Sequence, residues 1–134
     1  MAKRSVTEEQ KAAAEAQIDK NQKVIDYDTR EYPVEVIIQK YLKDTENDNN
    51  DFFIPDYQRE HSWSDDRQSR FIESVLMGLP IPLLFFADVA GQEGRAEIVD
   101  GSQRVRTLAR FVSGELELTG LERLDKLNGL RYHD

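Results

Sequence analysis

The sequence predicts a small α/β domain of the α+β kind, with helices flanking a short-stranded sheet. Three observations predict it. Apolar residues recur at helical spacing in three places: Val34, Ile37, Ile38, Tyr41 and Leu42; Phe71, Ile72, Val75, Leu76 and Leu79; Val105, Leu108, Ala109 and Val112. Between these stretches stand apolar runs too short for helices, Phe52-Phe53-Ile54 and Leu83-Leu84-Phe85-Phe86-Ala87. The chain of 134 residues is long enough for one domain with a single core.

Composition narrows the function classes. Charged residues make up 33% of the chain and the formal net charge is −8, which argues against holding nucleic acid by bulk charge while leaving room for a local basic site. There is no cysteine, so there is no disulfide and no thiolate zinc site, and two histidines argue against a histidine-rich metal site. No stretch approaches the ~20 apolar residues of a membrane span, so no membrane partner is expected. The opening Met-Ala-Lys-Arg lacks the apolar core of a signal peptide, and a cytoplasmic protein is expected.

The elements follow in order. Thr7-Glu8-Glu9-Gln10 is a capping box that opens a polar, alanine-rich helix to about Lys23. Its apolar positions are few (Ala13, Ala14, Ile18, then Val24 and Ile25), so residues 1–25 read as a loosely attached helix or mobile tail, or as a contact for a second copy. Residues 26–134 form the domain. Tyr32-Pro33-Val34 is extended, because the residue before proline avoids the helical region, and a helix of about ten residues follows. The acidic run from Asp44 to Asp51 lacks the central Gly and closing Glu of a calcium loop and reads as a solvated loop.

Phe52-Phe53-Ile54 is a short buried strand that Pro55 ends. The following Asp56-Tyr57-Gln58-Arg59-Glu60-His61-Ser62-Trp63 has no regular period and reads as a loop that carries side chains. Gln58 and Arg59 are its most useful donors, Trp63 suits the core, and His61 alone is weak evidence for a base. Ser64 caps a helix with Asp65 and Asp66 in its first turn, which Gly78 closes. Leu79-Pro80-Ile81-Pro82 is a rigid link. The run from Leu83 to Ala87 lacks polar alternation and reads as a strand covered on both faces. A turn through Gly91 and Gly94 makes a hairpin with the strand from Arg95 to Val99. Leu116 and Leu118 alternate with Glu115 and Glu117 in a half-exposed strand. A helical turn at Leu121, Leu124 and Leu127 follows, and Asn128-Gly129 turns the chain. Arg131-Tyr132-His133-Asp134 then ends it without a closing element, as though cut short.

The stretch Ile98-Val99-Asp100-Gly101-Ser102-Gln103-Arg104 carries the chemistry. It reads as a strand that stops at Asp100, bends at Gly101 and opens a helix, which Gly114 stops. Glycine at the bend lets a ligand approach bare backbone, and the first helical turn points N–H groups and the positive dipole end outward. Phosphate is the usual occupant of such a site, and Arg104 adds a fork of donors for its oxygens. Asp-Gly is also a common turn, and aspartate a common cap.

Pro55-Asp56-Tyr57-Gln58-Arg59, Ser62-Trp63, Leu79-Pro80-Ile81-Pro82 and Val99-Asp100-Gly101-Ser102-Gln103-Arg104 with Thr107-Leu108 stand in an order and spacing that carry a likeness. They resemble the ParB/sulfiredoxin-like N-terminal domain of GmrSD-type modification-dependent restriction enzymes and related phage-defence proteins. The likeness runs from Glu31 to Tyr132, and Leu127-Asn128-Gly129 also fits. It implies a small mixed sheet with flanking helices. It further implies that an Asp-Gly-Gln-Gln-Arg turn binds and hydrolyses nucleoside triphosphates, or gates a nuclease by doing so. Asp100, Gly101, Gln103 and Arg104 match that motif, and Ser102 replaces its first Gln with a shorter donor. Gln58 and Arg59 match the family's Gln-Arg pair. His61 stands where an aromatic residue is common, and Arg106 stands where Thr is usual.

On this resemblance the cofactor is a nucleoside triphosphate with Mg2+. Its phosphate sits on the N–H groups of Gly101, Ser102 and Gln103, Arg104 and Arg59 neutralise its charge with Arg106 adding positive charge nearby, Gln58 or Gln103 orients the attacking water, and Asp100 holds the divalent ion or the water. Family members usually continue into a helical region and often an HNH nuclease. No His-Asn-His constellation occurs here, so DNA would be met only through another domain or partner and the chain alone would be inactive in cutting it. The acidic charge also disfavours a direct ParB-like nuclease. Two readings from other classes stand beside hydrolysis: a non-enzymatic nucleotide or DNA sensor, and an interaction module of a defence complex.

Overall fold

The computed structural model describes residues 5–22, 28–59 and 62–134. Lys23, Val24, Ile25 and His61, singled out in the sequence, lie outside the described residues. Two units are distinguished, residues 1–31 and 32–134. The first holds helix α1 (Glu8–Asn21), whose capping box forms as the sequence predicts. The Thr7 hydroxyl accepts from the Gln10 N–H at 3.2 Å, and the Gln10 side chain accepts from the Thr7 N–H at 3.0 Å. None of its residues is buried.

The second unit is a mixed α/β domain. In chain order it runs α2 (Val34–Leu42), β1 (Phe52–Phe53), α3 (Asp56–Arg59), α4 (Asp65–Leu76), β2 (Phe85–Asp88), β3 (Ala96–Asp100) and α5 (Ser102–Val112). Single 3-10 turns stand at Thr45–Asn47 and Asp125–Leu127. The sheet order is β1-β3-β2, with β1 parallel and β2 antiparallel to β3. A parallel neighbour needs a long crossover, and α3, α4 and β2 lie within it. The strand that ends at Asp100 is thus the central one, held on both sides.

Helix α5 joins two apolar clusters. Val105 packs with Phe52, Ile54, Ala96 and Ile98 of the sheet side, and Ile98 and Val105 are fully buried. Leu108 and Ala109 pack with Ile38, Ile72, Leu116, Leu118 and Leu121. The predicted apolar stripe of α5 therefore serves both clusters, which fixes the start of the helix against the end of β3.

Four sequence expectations are corrected. The run from Leu83 to Ala87 is not covered on both faces. The strand begins at Phe85, and Leu83 and Phe85 are 66% and 55% exposed. As the edge strand it turns Phe86 onto Phe52, with ring centroids 4.6 Å apart, and leaves Phe85 outside. The stretch after Pro55 is not wholly a loop, since residues 56–59 form one helical turn with Gln58 N–H donating to the Pro55 carbonyl. The acidic loop is not merely solvated. Asn50 is buried and donates to the carbonyls of Tyr41 and Phe52, and Arg95 donates to the Asp48 and Asn50 carbonyls.

The fourth correction concerns residues 115–134. Leu116 and Leu118 alternate inward as predicted but pair in no sheet ladder, while Leu118 exchanges backbone hydrogen bonds with residues 129 and 130. The chain end is docked. Tyr132 meets Phe111 edge-on at 5.5 Å, and Arg131 donates to the Gly114 carbonyl at 2.9 Å. No helix among the described residues is long and apolar enough to cross a membrane.

Candidate functional site

The bend predicted between Asp100 and the following helix is present. Gly101 has φ +102° and sits at the N-cap of α5, a conformation that L side chains rarely adopt. Having no side chain, it makes no cap hydrogen bond to the first turn. The residues of that turn, with the positive end of the helix dipole, line a recess of about 470 Å³. Its wall is the strand end (Val99, Asp100), the turn (Gly101 to Arg104) and three side chains of the preceding segment, Tyr57, Gln58 and Trp63.

Six of the eight residues singled out in the sequence meet here: Gln58, Asp100, Gly101, Ser102, Gln103 and Arg104. Their geometry assigns them different tasks. The Gln58 amide donates to the Val99 carbonyl at 3.0 Å, which ties α3 to the strand end. The Gln103 side-chain Oε1 accepts from the Trp63 backbone N–H at 3.0 Å, while the Gln68 side-chain amide donates to the Trp63 backbone carbonyl at 2.9 Å. Trp63 is thus braced from both sides, with its ring edge-on to Phe71 and under the Arg67 guanidinium. Ser102 is largely buried at the first position of α5.

Arg104 is the inner charge. Its side chain is only 11% exposed, and it donates to the Pro82 and Leu83 carbonyls while lying 3.6 Å from the Asp100 carboxylate. It therefore anchors the proline link beneath the recess as well as charging it. The Asp100 side chain is 67% exposed, so this loose pair contributes little stability, and the carboxylate stands open to the recess. The two charges stand within ion-pair range of each other, and the start of the helix adds the positive end of its dipole.

Arg59 and Arg106 are placed elsewhere. The Arg59 guanidinium donates to the Ile54 carbonyl at 2.8 Å and pairs with Asp48 at 2.7 Å and Asp56 at 3.1 Å. The Asp48 hydrogen bond holds its pKa above the ordinary arginine value. Arg106 donates to Ser62 and to the Arg59 carbonyl, each at 3.2 Å. It faces a neighbouring groove, behind the Trp63 and Gln103 wall, that Asp65, Arg110 and Glu115 also line.

Tyr57 is the residue that sequence reasoning passed over. The residue is 70% exposed on the wall of the recess, and its hydroxyl donates to Glu97 Oε1 at 3.0 Å. That hydrogen bond, the carboxylate's charge and slight desolvation raise its pKa above the ordinary 10.0. The neutral phenol is the stabilised form, so the bond persists below pH 10 and is lost as pH rises through the raised value. In an absorbance titration Glu97→Gln is expected to return one tyrosine toward pH 10, and an unchanged curve would refute the tether. The sequence signals for Tyr57 were the density of polar groups and large rings around it and its place in the Pro55-Asp56-Tyr57-Gln58-Arg59 piece of the family likeness.

No group of three or more acidic, histidine or cysteine side chains stands together to hold a metal among the described residues. Comparison with known families finds a match over residues 34–133 to the family described as GmrSD restriction endonuclease, N-terminal domain. Searches of curated proteins and of solved structures returned no match.

Proposed function

This chain belongs to the GmrSD restriction endonuclease N-terminal domain family, and from that premise we propose that its turn recess binds a nucleoside triphosphate. The observation that carries the reading is the uncapped start of α5 behind the positive-φ Gly101, open to a recess large enough for a nucleotide. The phosphates lie against the backbone of Gly101 to Gln103, with the Arg104 charge beneath them. Asp100 would repel a bare polyphosphate. One exposed carboxylate together with phosphate oxygens is, however, the ligand set that suits Mg2+, and Asp100 fits as its protein ligand. When bound, the ion would neutralise phosphate charge beside that carboxylate.

A second reading, binding without turnover, rests on a specific observation. Gln58 and Gln103, the side chains that would orient water, each make a structural hydrogen bond. Ser102 stands in place of the longer glutamine and is buried. A domain that senses nucleotide for a larger restriction assembly needs the pocket but not the poised water.

Calorimetric titration with the four common nucleoside triphosphates and Mg2+ tests both readings. At least one is expected to bind. Arg104→Gln, which removes the charge but keeps a donor for the Pro82 carbonyl, is expected to weaken it by about tenfold or more. No binding by the native domain, or unchanged affinity in a folded Arg104→Gln variant, would overturn the proposal. Phosphate release above the solution background would decide for hydrolysis over sensing.

A further inference from the structure

We propose that Tyr57 is the nucleobase platform of this site, held in place by Glu97, and that Tyr57 with Val99 forms a base-stacking subsite. The inference rests on the triphosphate reading above and extends it to the part of the ligand that the turn does not touch. Phosphates at the start of α5 leave a base to be placed somewhere on the wall of the same recess. Of the two aromatic rings on that wall, Trp63 is already taken up, under Arg67 on one side and against Phe71 on its edge. Tyr57 is 70% exposed and makes no ring contact with another aromatic among the described residues.

An exposed tyrosine ordinarily rotates freely. This one is fixed at two points of a single helical turn. Its own hydroxyl is tied to Glu97, and the neighbouring Gln58 amide is tied to the Val99 carbonyl. The tethers end on the Glu97 side chain and the Val99 carbonyl, both of β3, the strand whose end is Asp100. The Val99 side chain, 47% exposed on the wall of the same recess, offers an apolar edge. The fold thus spends two long-range hydrogen bonds on positioning a ring whose area it does not bury. A pre-oriented aromatic face beside an anion site suits a flat, uncharged ring system joined to phosphate, since every nucleobase has a π face.

The test compares ligands with and without a base. Binding of inorganic triphosphate and of ATP, GTP, CTP and UTP, each with Mg2+, is measured for the native domain and for Tyr57→Ala, Tyr57→Phe and Glu97→Gln. Tyr57→Ala is expected to weaken the preferred nucleotide by about tenfold and to leave inorganic triphosphate unchanged. Tyr57→Phe keeps the ring but releases it, and a smaller loss than that of Tyr57→Ala is expected; Glu97→Gln keeps a weaker, neutral acceptor for the hydroxyl, and the smallest loss of the three is expected from it. Nucleotide affinity unchanged in Tyr57→Ala would overturn the platform while leaving the triphosphate reading intact. Equal losses for inorganic triphosphate and nucleotide would also overturn it, since the tyrosine would then act on the phosphates or the fold. Failure of the native domain to bind either ligand would overturn the triphosphate reading itself, and this inference with it.

Discussion

Gly101→Ala is expected to destabilise the domain by about 2–3 kcal/mol and to remove nucleotide binding. Two separate penalties make up that figure. At φ +102° an alanine adopts a backbone conformation that costs an L residue about 1–2 kcal/mol. Its Cβ would also stand 2.3 Å from Leu84 Cδ2 and 3.1 Å from Arg104 Nη2. Leu84 can swing, but it is half-buried against the sheet cluster, so overpacking adds about 1 kcal/mol. Urea unfolding measures the sum. The double variant Gly101→Ala, Leu84→Ala separates the parts. With Leu84 truncated, the added penalty of Gly101→Ala should fall to the backbone part alone, about 1–2 kcal/mol. Full additivity would show that the crowding is imaginary and that only the backbone matters. The binding loss follows from the same geometry. Relief of the backbone strain at this φ requires the turn to move, and the turn is the surface on which the phosphates would lie.

What could be read in the sequence was local. The strand, glycine bend and helix from Ile98 to Val112 lie within a few residues of one another, and short-range pattern suffices for them. The same holds for the Ser64 cap, where the hydroxyl accepts from the Arg67 N–H at 3.3 Å, and for the hairpin of β2 and β3. What could not be read was set by partners far along the chain. Arg59 offers the same five donors to a phosphate as to a carboxylate, and only the fold brings Asp48 within 2.7 Å of it. Arg104 reaches carbonyls some twenty residues upstream. The exposure of Phe85 depends on β2 being an edge strand, which an apolar run does not disclose. Tyr57 became a candidate only when Glu97, forty residues on, proved to hold its hydroxyl.

The docking of the last twenty residues was the least legible feature, and it yields the second large prediction. Glu73→Ala is expected to cost about 3 kcal/mol. Glu73 is 9% exposed on α4, and its Oε2 accepts from the backbone N–H groups of Arg123 at 3.2 Å and Leu124 at 3.0 Å. Hydrogen bonds to a charged group contribute about 1.5–3 kcal/mol, and removing the acceptor leaves two partly buried donors without one. Nearby, Ser69, fully buried on the same helix, accepts from the Thr119 N–H at 3.0 Å. Glu73→Gln keeps a neutral acceptor, so a smaller loss of about 1 kcal/mol is expected of it. Amide hydrogen exchange locates the effect. In Glu73→Ala, protection should fall first across residues 116–130, where Leu116, Leu118 and Leu121 are buried. Unchanged protection there would mean that those leucines hold the segment without the carboxylate. Loss that spreads to the amide of Trp63 would mean more. Gln68 braces that residue from the same helix, so the wall of the recess would depend on a carboxylate more than one helical turn further along α4.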